Sequence, residues 1–142
     1  MSFDVLGDLN WIAVIVAAVA YFVIGAIWYA PPVMGNRWMA AGGIEMPADG
    51  QRPGPGIYLV PLIGSVLSAI ALGMLAEATG TDTAGEGVVL GLVVAIGFAL
   101  AISLVTATFE SGKPKPMVWG ALNAGYHMVG IIVAAVIIGA WQ

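Results

Sequence analysis

The sequence predicts an all-α integral membrane protein, with four transmembrane helices in a compact bundle and both termini on the non-cytoplasmic side. Three observations carry this reading. Apolar residues make up 61% of the 142-residue chain and charged residues 8%, against roughly 25% charged in an ordinary soluble domain. The apolar residues fall into four runs, each of about 20 residues, the length that crosses a hydrocarbon core of about 30 Å. All four basic residues lie in two of the connections between those runs. A soluble chain this short has too little interior to hide so much apolar side chain. A bilayer removes the difficulty, because lipid solvates the outside of the fold.

The first run covers 10–30, the second 57–78, the third 87–109 and the fourth 118–141. No charge interrupts the central part of any of them. Uninterrupted apolar runs do not match the alternation of a barrel strand, so helix is the spanning form. The stretch before the first run has no Lys or Arg, so it lacks the basic start of a secretory leader. The run is read as a retained spanning helix, and 1–142 as a single four-span domain.

Pro31-Pro32 ends the first helix, since proline cannot continue the hydrogen-bond ladder. In the loop over 31–56, Val33, Met34, Trp38 and Met39 fit one short amphipathic turn on the membrane surface. From Pro47 to Gly56 the loop reads as irregular linker. The second connection, from Thr79 to Glu86, is short and acidic; the third, from Glu110 to Met117, carries Lys-Pro-Lys-Pro.

Arg37 and Arg52 lie in the first connection, Lys113 and Lys115 in the third. These connections share one side of a four-span protein. The other side carries Asp4, Asp8, Asp82 and Glu86 and no Lys or Arg. The positive-inside rule therefore makes the first and third connections cytoplasmic. Trp11 and Trp141 fit the outer interface, and Trp28, Tyr29, Tyr58 and Trp119 the inner one.

Helices in lipid pack through small and weakly polar residues. Each run has such a stripe at helical spacing: Asn10, Ala13, Ala17, Tyr21 and Gly25; Ser65, Ala69, Gly73 and Ala76, with Ser68 beside them; Ala95, Ala99, Ser103, Thr106 and Glu110; Gly120, Asn123, His127, Gly130 and Ala134. Gly87-x-x-x-Gly91 is a close-approach motif of little weight alone in so glycine-rich a chain. If the four stripes converge, Tyr21, Ser65, Ser103, Asn123 and His127 form a polar cluster in the cytoplasmic half, with His127 its one titratable group near mid-membrane. Ionisable groups at that depth are costly and are functional candidates. The competing reading is a neutral imidazole bonded to Asn123, Tyr21 or Ser65 that only holds helices together.

Several chemistries are excluded. Without cysteine there are no disulfides, thiol nucleophiles, iron–sulfur clusters or Cys-type zinc sites. One histidine cannot build a zinc site within one chain, although a symmetric oligomer could gather several copies of His127 around an axis. No acid lies near His127 for a serine triad, and there is no phosphate loop or dinucleotide fingerprint. No cofactor or metal is therefore expected. A net charge of −4 argues against nucleic acid, which needs a basic face.

The runs Asn10-Trp11-Ile12-Ala13, Tyr21-Phe22-Val23-Ile24-Gly25-Ala26-Ile27-Trp28-Tyr29-Ala30-Pro31 and Gly35-Asn36-Arg37-Trp38-Met39, with Asn123-Ala124-Gly125-Tyr126-His127, resemble the bacterial membrane family catalogued as domain of unknown function 1761. The resemblance covers most of the chain and supplies no activity. It implies a compact domain of the bacterial inner membrane, and it draws attention to Trp28, Tyr29, Pro31, Gly35 and Trp38 as a turn over the cytoplasmic mouth of the polar cluster, or as no more than a rigid helix end.

Three functions stay open. The first is a non-enzymatic homo-oligomer that binds or passes a small solute or lipid, with His127, Asn123, Tyr21, Ser65, Ser103, Trp28 and Tyr29 as candidate contacts. The second is an accessory subunit packed on another membrane protein. The third is a small enzyme acting on a lipidic substrate with His127 as base, which ranks last because no orienting carboxylate is near.

Overall fold

The computed structural model describes residues 3–45 and 54–141. Arg52 and most of the expected linker lie outside them. Among the described residues the chain is helical, and four segments are long and apolar enough to cross a membrane: Trp11–Trp28, Pro55–Thr79, Ala84–Phe109 and Pro116–Gly139.

Helix α1 (Trp11–Trp28) opens at Asn10, whose side chain accepts a hydrogen bond from the Ala13 N–H. That satisfies one of the orphan donors of a helix start. The same amide donates to the Trp141 carbonyl at 2.6 Å. Asn10 is thus a cap that ties the start of the first span to the end of the last, rather than a member of a packing stripe. After Pro31-Pro32 the chain makes one wide turn and enters α2 (Asn36–Gly42). This helix holds Trp38 and Met39 of the expected amphipathic turn, whereas Val33 and Met34 lie in the wide turn before it, and it folds back on the last of the four long helices with Ala41 buried.

Helix α3 (Leu59–Thr79) follows a short 3₁₀ turn and stops at Gly80. Gly43 after α2 and Gly80 after α3 both have φ near +66°, the left-handed geometry in which glycine carries no Cβ penalty. The third span has two parts, α4 (Ala84–Val94) and α5 (Ala101–Phe109), joined by a wider, π-type turn over Ala95–Leu100. Thr83 caps α4 by accepting from the Glu86 N–H, and Glu86 reaches back to the Asp82 N–H, close to the reciprocal pattern of a capping box. Helix α6 (Pro116–Gly139) starts on Pro116, where a missing N–H costs nothing.

Helix α6 is the hub. It packs against α1, α2, α3, α4 and α5, whereas α3 otherwise packs on α1 and makes no substantial contact with α4 or α5. Its contacts are made by interlocking shapes. The Tyr21 ring of α1 lies directly on Gly130, where a Cβ would overlap it. In return the Tyr126 ring of α6 lies on Gly25 and the Trp28 ring on Gly125, each so close that a Cβ would stand 2.9 Å from a ring carbon. On the other flank Gly87 and Gly91 meet the α6 backbone itself, and a Cβ on Gly91 would come within 2.7 Å of the Ile132 Cα. The Gly87-x-x-x-Gly91 pair, discounted in the sequence, is the seam between α4 and α6.

The stripe expected on α3 is buried at Ser65, Ala69, Gly73 and Ala76. On the third span Thr106 is exposed and Ala107 is buried in its place. The wide turn is the reason. The inward positions Gly87, Gly91, Ala95, Ala99, Ser103 and Ala107 repeat every four residues, and an ideal α-helix drifts by about 40° per four residues. One turn with more residues than usual absorbs the drift and keeps the face on α6.

The outward faces of Ile12, Ile15, Val19, Leu59, Val60, Leu67, Val89, Val93, Ile102 and Val105 are exposed and apolar. Gly130→Ala is expected to destabilise the fold by about 1–3 kcal/mol, because the Tyr21 ring has no room to move. Gly64→Ala, at a glycine with nothing within 4 Å, should be neutral or stabilising by up to about 1 kcal/mol. Reversible unfolding in mixed detergent micelles measures both; equal effects would refute the interlocking.

Candidate functional site

The wide turn after α1 is built so that its aromatics reach α6. Gly35 follows the double proline, and a Cβ there would overlap the Tyr29 carbonyl. The chain can therefore fold tightly enough to bring α2 beside α6. Three hydrogen bonds result. Tyr29 donates its hydroxyl to Asn123 Oδ1 at 2.7 Å, and Trp38 donates Nε1 to the same oxygen at 3.0 Å. Trp28 donates Nε1 to the Leu122 carbonyl at 3.1 Å. One amide oxygen with two lone pairs thus satisfies two aromatic donors.

A second polar pair lies on the other side of Tyr126. The Tyr21 hydroxyl and His127 Nδ1 are 2.7 Å apart. Tyr126 stands between the groups, its ring centroid 5.4 Å from Tyr29, 5.5 Å from Tyr21 and 4.5 Å from His127. With Tyr29 edge-on to Trp38 at 5.2 Å, five aromatic or imidazole rings form one continuous chain from α2 to the middle of α6. Such tilted and edge-to-face pairs contribute about 0.5–1.5 kcal/mol each.

These contacts distribute the sequence-derived candidates. His127 pairs with Tyr21. Asn123 takes Tyr29 and Trp38, not His127. Ser65 is buried and donates to the Pro61 carbonyl of its own helix at 2.9 Å, as serine in a helix commonly does. Ser103 shares a cavity wall with His127. The four stripes do not close around the histidine: His127 is exposed. Because α3 and the α4–α5 span both lean on α6 without packing on each other, a cleft of about 360 Å³ is left between them. Its wall includes Tyr21, Ser68, Leu72, Phe98, Ser103 and His127. Phe98 and Ala99 belong to the wide turn, so the register correction of the third span also shapes the cleft.

Ser68, Tyr126 and Phe98 are the contributors that sequence reasoning did not single out as site residues. Tyr126 carried one signal: Tyr126-x-x-x-Gly130 on α6 repeats the spacing of Tyr21-x-x-x-Gly25 on α1. Nothing in the sequence says that the two pairs face each other.

At the loop end, Lys113 pairs with Glu110 at 3.1 Å and stands 4.3 Å above the Trp119 ring. The Lys115 N–H donates to the Ala41 carbonyl of α2. The third connection and the helix that carries Arg37 therefore meet at one end of the molecule.

The family model described as "Protein of unknown function (DUF1761)" matches residues 12–139. No curated protein and no solved structure matches.

Tyr29→Phe and Trp38→Phe are each expected to cost about 0.5–1.5 kcal/mol of stability. Asn123→Leu should cost at least as much as either, since it orphans both donors. In the Asn123→Leu background, Tyr29→Phe should cost nothing further. A double-mutant cycle by reversible unfolding reads this coupling, and additive losses would break the assignment.

Proposed function

We propose, for a chain that belongs to the DUF1761 family of proteins of unknown function, that it is a four-span membrane protein binding a small, largely apolar molecule that enters sideways from the bilayer. The observation that carries this reading is the cleft of about 360 Å³ between α3 and the α4–α5 span, open at the side and floored by the Tyr21–His127 pair. Ligand sites are typically concave, mostly apolar and supplied with a few placed polar groups, with volumes of roughly 300–1,000 Å³. This cleft has that make-up at the small end of the range. Leu72, Phe98 and Ile102 supply apolar wall, while His127, Ser68 and Ser103 supply polar atoms.

The cleft is a binding site rather than a conduit, since it runs between helices on one flank of α6. Its environment is the bacterial inner membrane, with the first and third connections in the cytoplasm. The meeting of α2 with the Lys113–Lys115 loop supports one shared basic end, and the Asn10–Trp141 bond supports one shared end for the two outer span termini. Four short spans enclose little interior, and the protein works as a homo-oligomer whose protomers each keep a cleft. The competing reading is an accessory subunit whose open flank receives a helix of another membrane protein. Co-purification of a stable heteromeric partner from native membrane would favour it.

Two outcomes test this. Decylbenzene should raise the thermal midpoint of the purified protein saturably, because a ligand that binds only the folded state stabilises it. Ser103→Trp, which fills the cleft, should abolish the rise while the variant still melts cooperatively; a rise that survives would overturn the reading. For topology, Ser111→Cys should react with a membrane-impermeant maleimide only from the cytoplasmic side and Gly85→Cys only from the other. The chain has no cysteine of its own to confuse the labelling.

A further inference from the structure

We infer, resting on the cleft reading above, that the cleft selects a neutral, membrane-dissolved carbonyl compound of the quinone or ketone class, whose oxygen accepts a hydrogen bond from His127 Nε2–H. The argument begins with the short contact between Tyr21 and His127. The two groups are 2.7 Å apart, and a phenol is a better donor than acceptor whereas an unprotonated imidazole nitrogen is a strong acceptor. The phenol therefore donates, and Nδ1 accepts. A neutral imidazole has one donor and one acceptor nitrogen, and the bond at one fixes the other. The proton is then on Nε2.

Nε2 has no hydrogen-bond partner among the described residues. His127 is exposed and forms part of the cleft wall. An N–H donor turned toward hydrocarbon without a partner is costly, since no water is there to satisfy it. The cleft therefore presents a donor that an acceptor-bearing ligand would satisfy. Tyr21 acts as a positioning residue: its hydroxyl holds the ring and selects the tautomer.

Depth selects the ligand class. His127 stands near the middle of the 24-residue α6, about 16 Å along the axis from Pro116. The ester carbonyls of a glycerophospholipid lie at the edge of the hydrocarbon core, roughly 15 Å from its midplane. Their charged headgroups anchor them there, so they cannot bring an oxygen to His127 without burying charge. A molecule without a headgroup, dissolved within the hydrocarbon, can. The cavity's size suits one ring and a short stretch of chain, with the rest of the tail left in the lateral opening.

The full chain in nanodiscs of saturated phosphatidylcholine provides the test. Its single histidine gives one pair of ring nitrogen signals in ¹⁵N NMR. The Nε2–H tautomer is expected in the free protein, and Tyr21→Phe should mix the two tautomers. Titration with decylbenzoquinone should shift Nε2 saturably and bind about tenfold tighter than decylbenzene, the gain of one net hydrogen bond. His127→Leu should bring the two probes to equal affinity. An Nδ1–H tautomer in the free protein overturns the inference, as does equal affinity for the two probes with Nε2 unmoved; in that second case the cleft reading survives alone. Failure of both probes to bind overturns the cleft reading with it. A free-state Nε2 signal already shifted by phosphatidylcholine, and unaltered by the quinone, assigns the site to lipid esters and rejects the proposed class.

Discussion

The meeting of α1 and α6 is a lock of rings against glycines, and the other contacts of the fold are arranged around it. Tyr21 lies on Gly130, Tyr126 on Gly25 and Trp28 on Gly125. In a hydrocarbon solvent, burying a leucine against another helix gains little, because lipid is equally apolar. What remains is shape. A flat ring against a bare backbone makes many close contacts without displacing a neighbouring side chain. Reciprocal placement matters too, since each helix contributes both a ring and a gap. The two spans then register in one relative height, which brings the hydroxyl of Tyr21 to Nδ1 of His127.

The same hub explains the open flank. Helix α6 holds α4 by glycines at backbone contact and holds α3 more loosely, while α3 leans also on α1. Two neighbours of a common helix that make no substantial contact with each other leave a groove above it. The wide turn over Ala95–Leu100 keeps the third span's small residues on α6 along its whole length. It also turns Phe98 and Ala99 toward the groove. A histidine that would be inert glue inside a closed bundle becomes accessible floor in an open one.

Hydrogen bonding is used sparingly and in separate places. Asn123 gathers Tyr29 and Trp38, which fastens α2 against α6. Membrane hydrogen bonds average about 0.6 kcal/mol, so this network is no stronger than the ring contacts around it. Its effect is directional: it fixes where the turn after Pro31-Pro32 must lie. The Tyr21–His127 pair, by contrast, leaves half of its imidazole without a partner among the described residues, and that asymmetry separates a potential site from a fastening.

Four apolar stretches, their breaks at Pro31-Pro32 and at the short polar loops, the clustering of Lys and Arg in alternate connections, and the small-residue face of α3 were all legible in the sequence. They depend on composition and local periodicity, which any solvent-length argument can use. The tertiary structure decided the rest. Asn10 became a cap, Thr106 gave way to Ala107, Gly87 and Gly91 became a seam, and His127 came to face a cleft rather than a closed cluster. Each of these depends on which helix lies next to which, on one extra residue in a turn, or on a ring meeting a glycine more than a hundred residues away in the chain. Helical periodicity identifies a face; it carries no information about what that face meets.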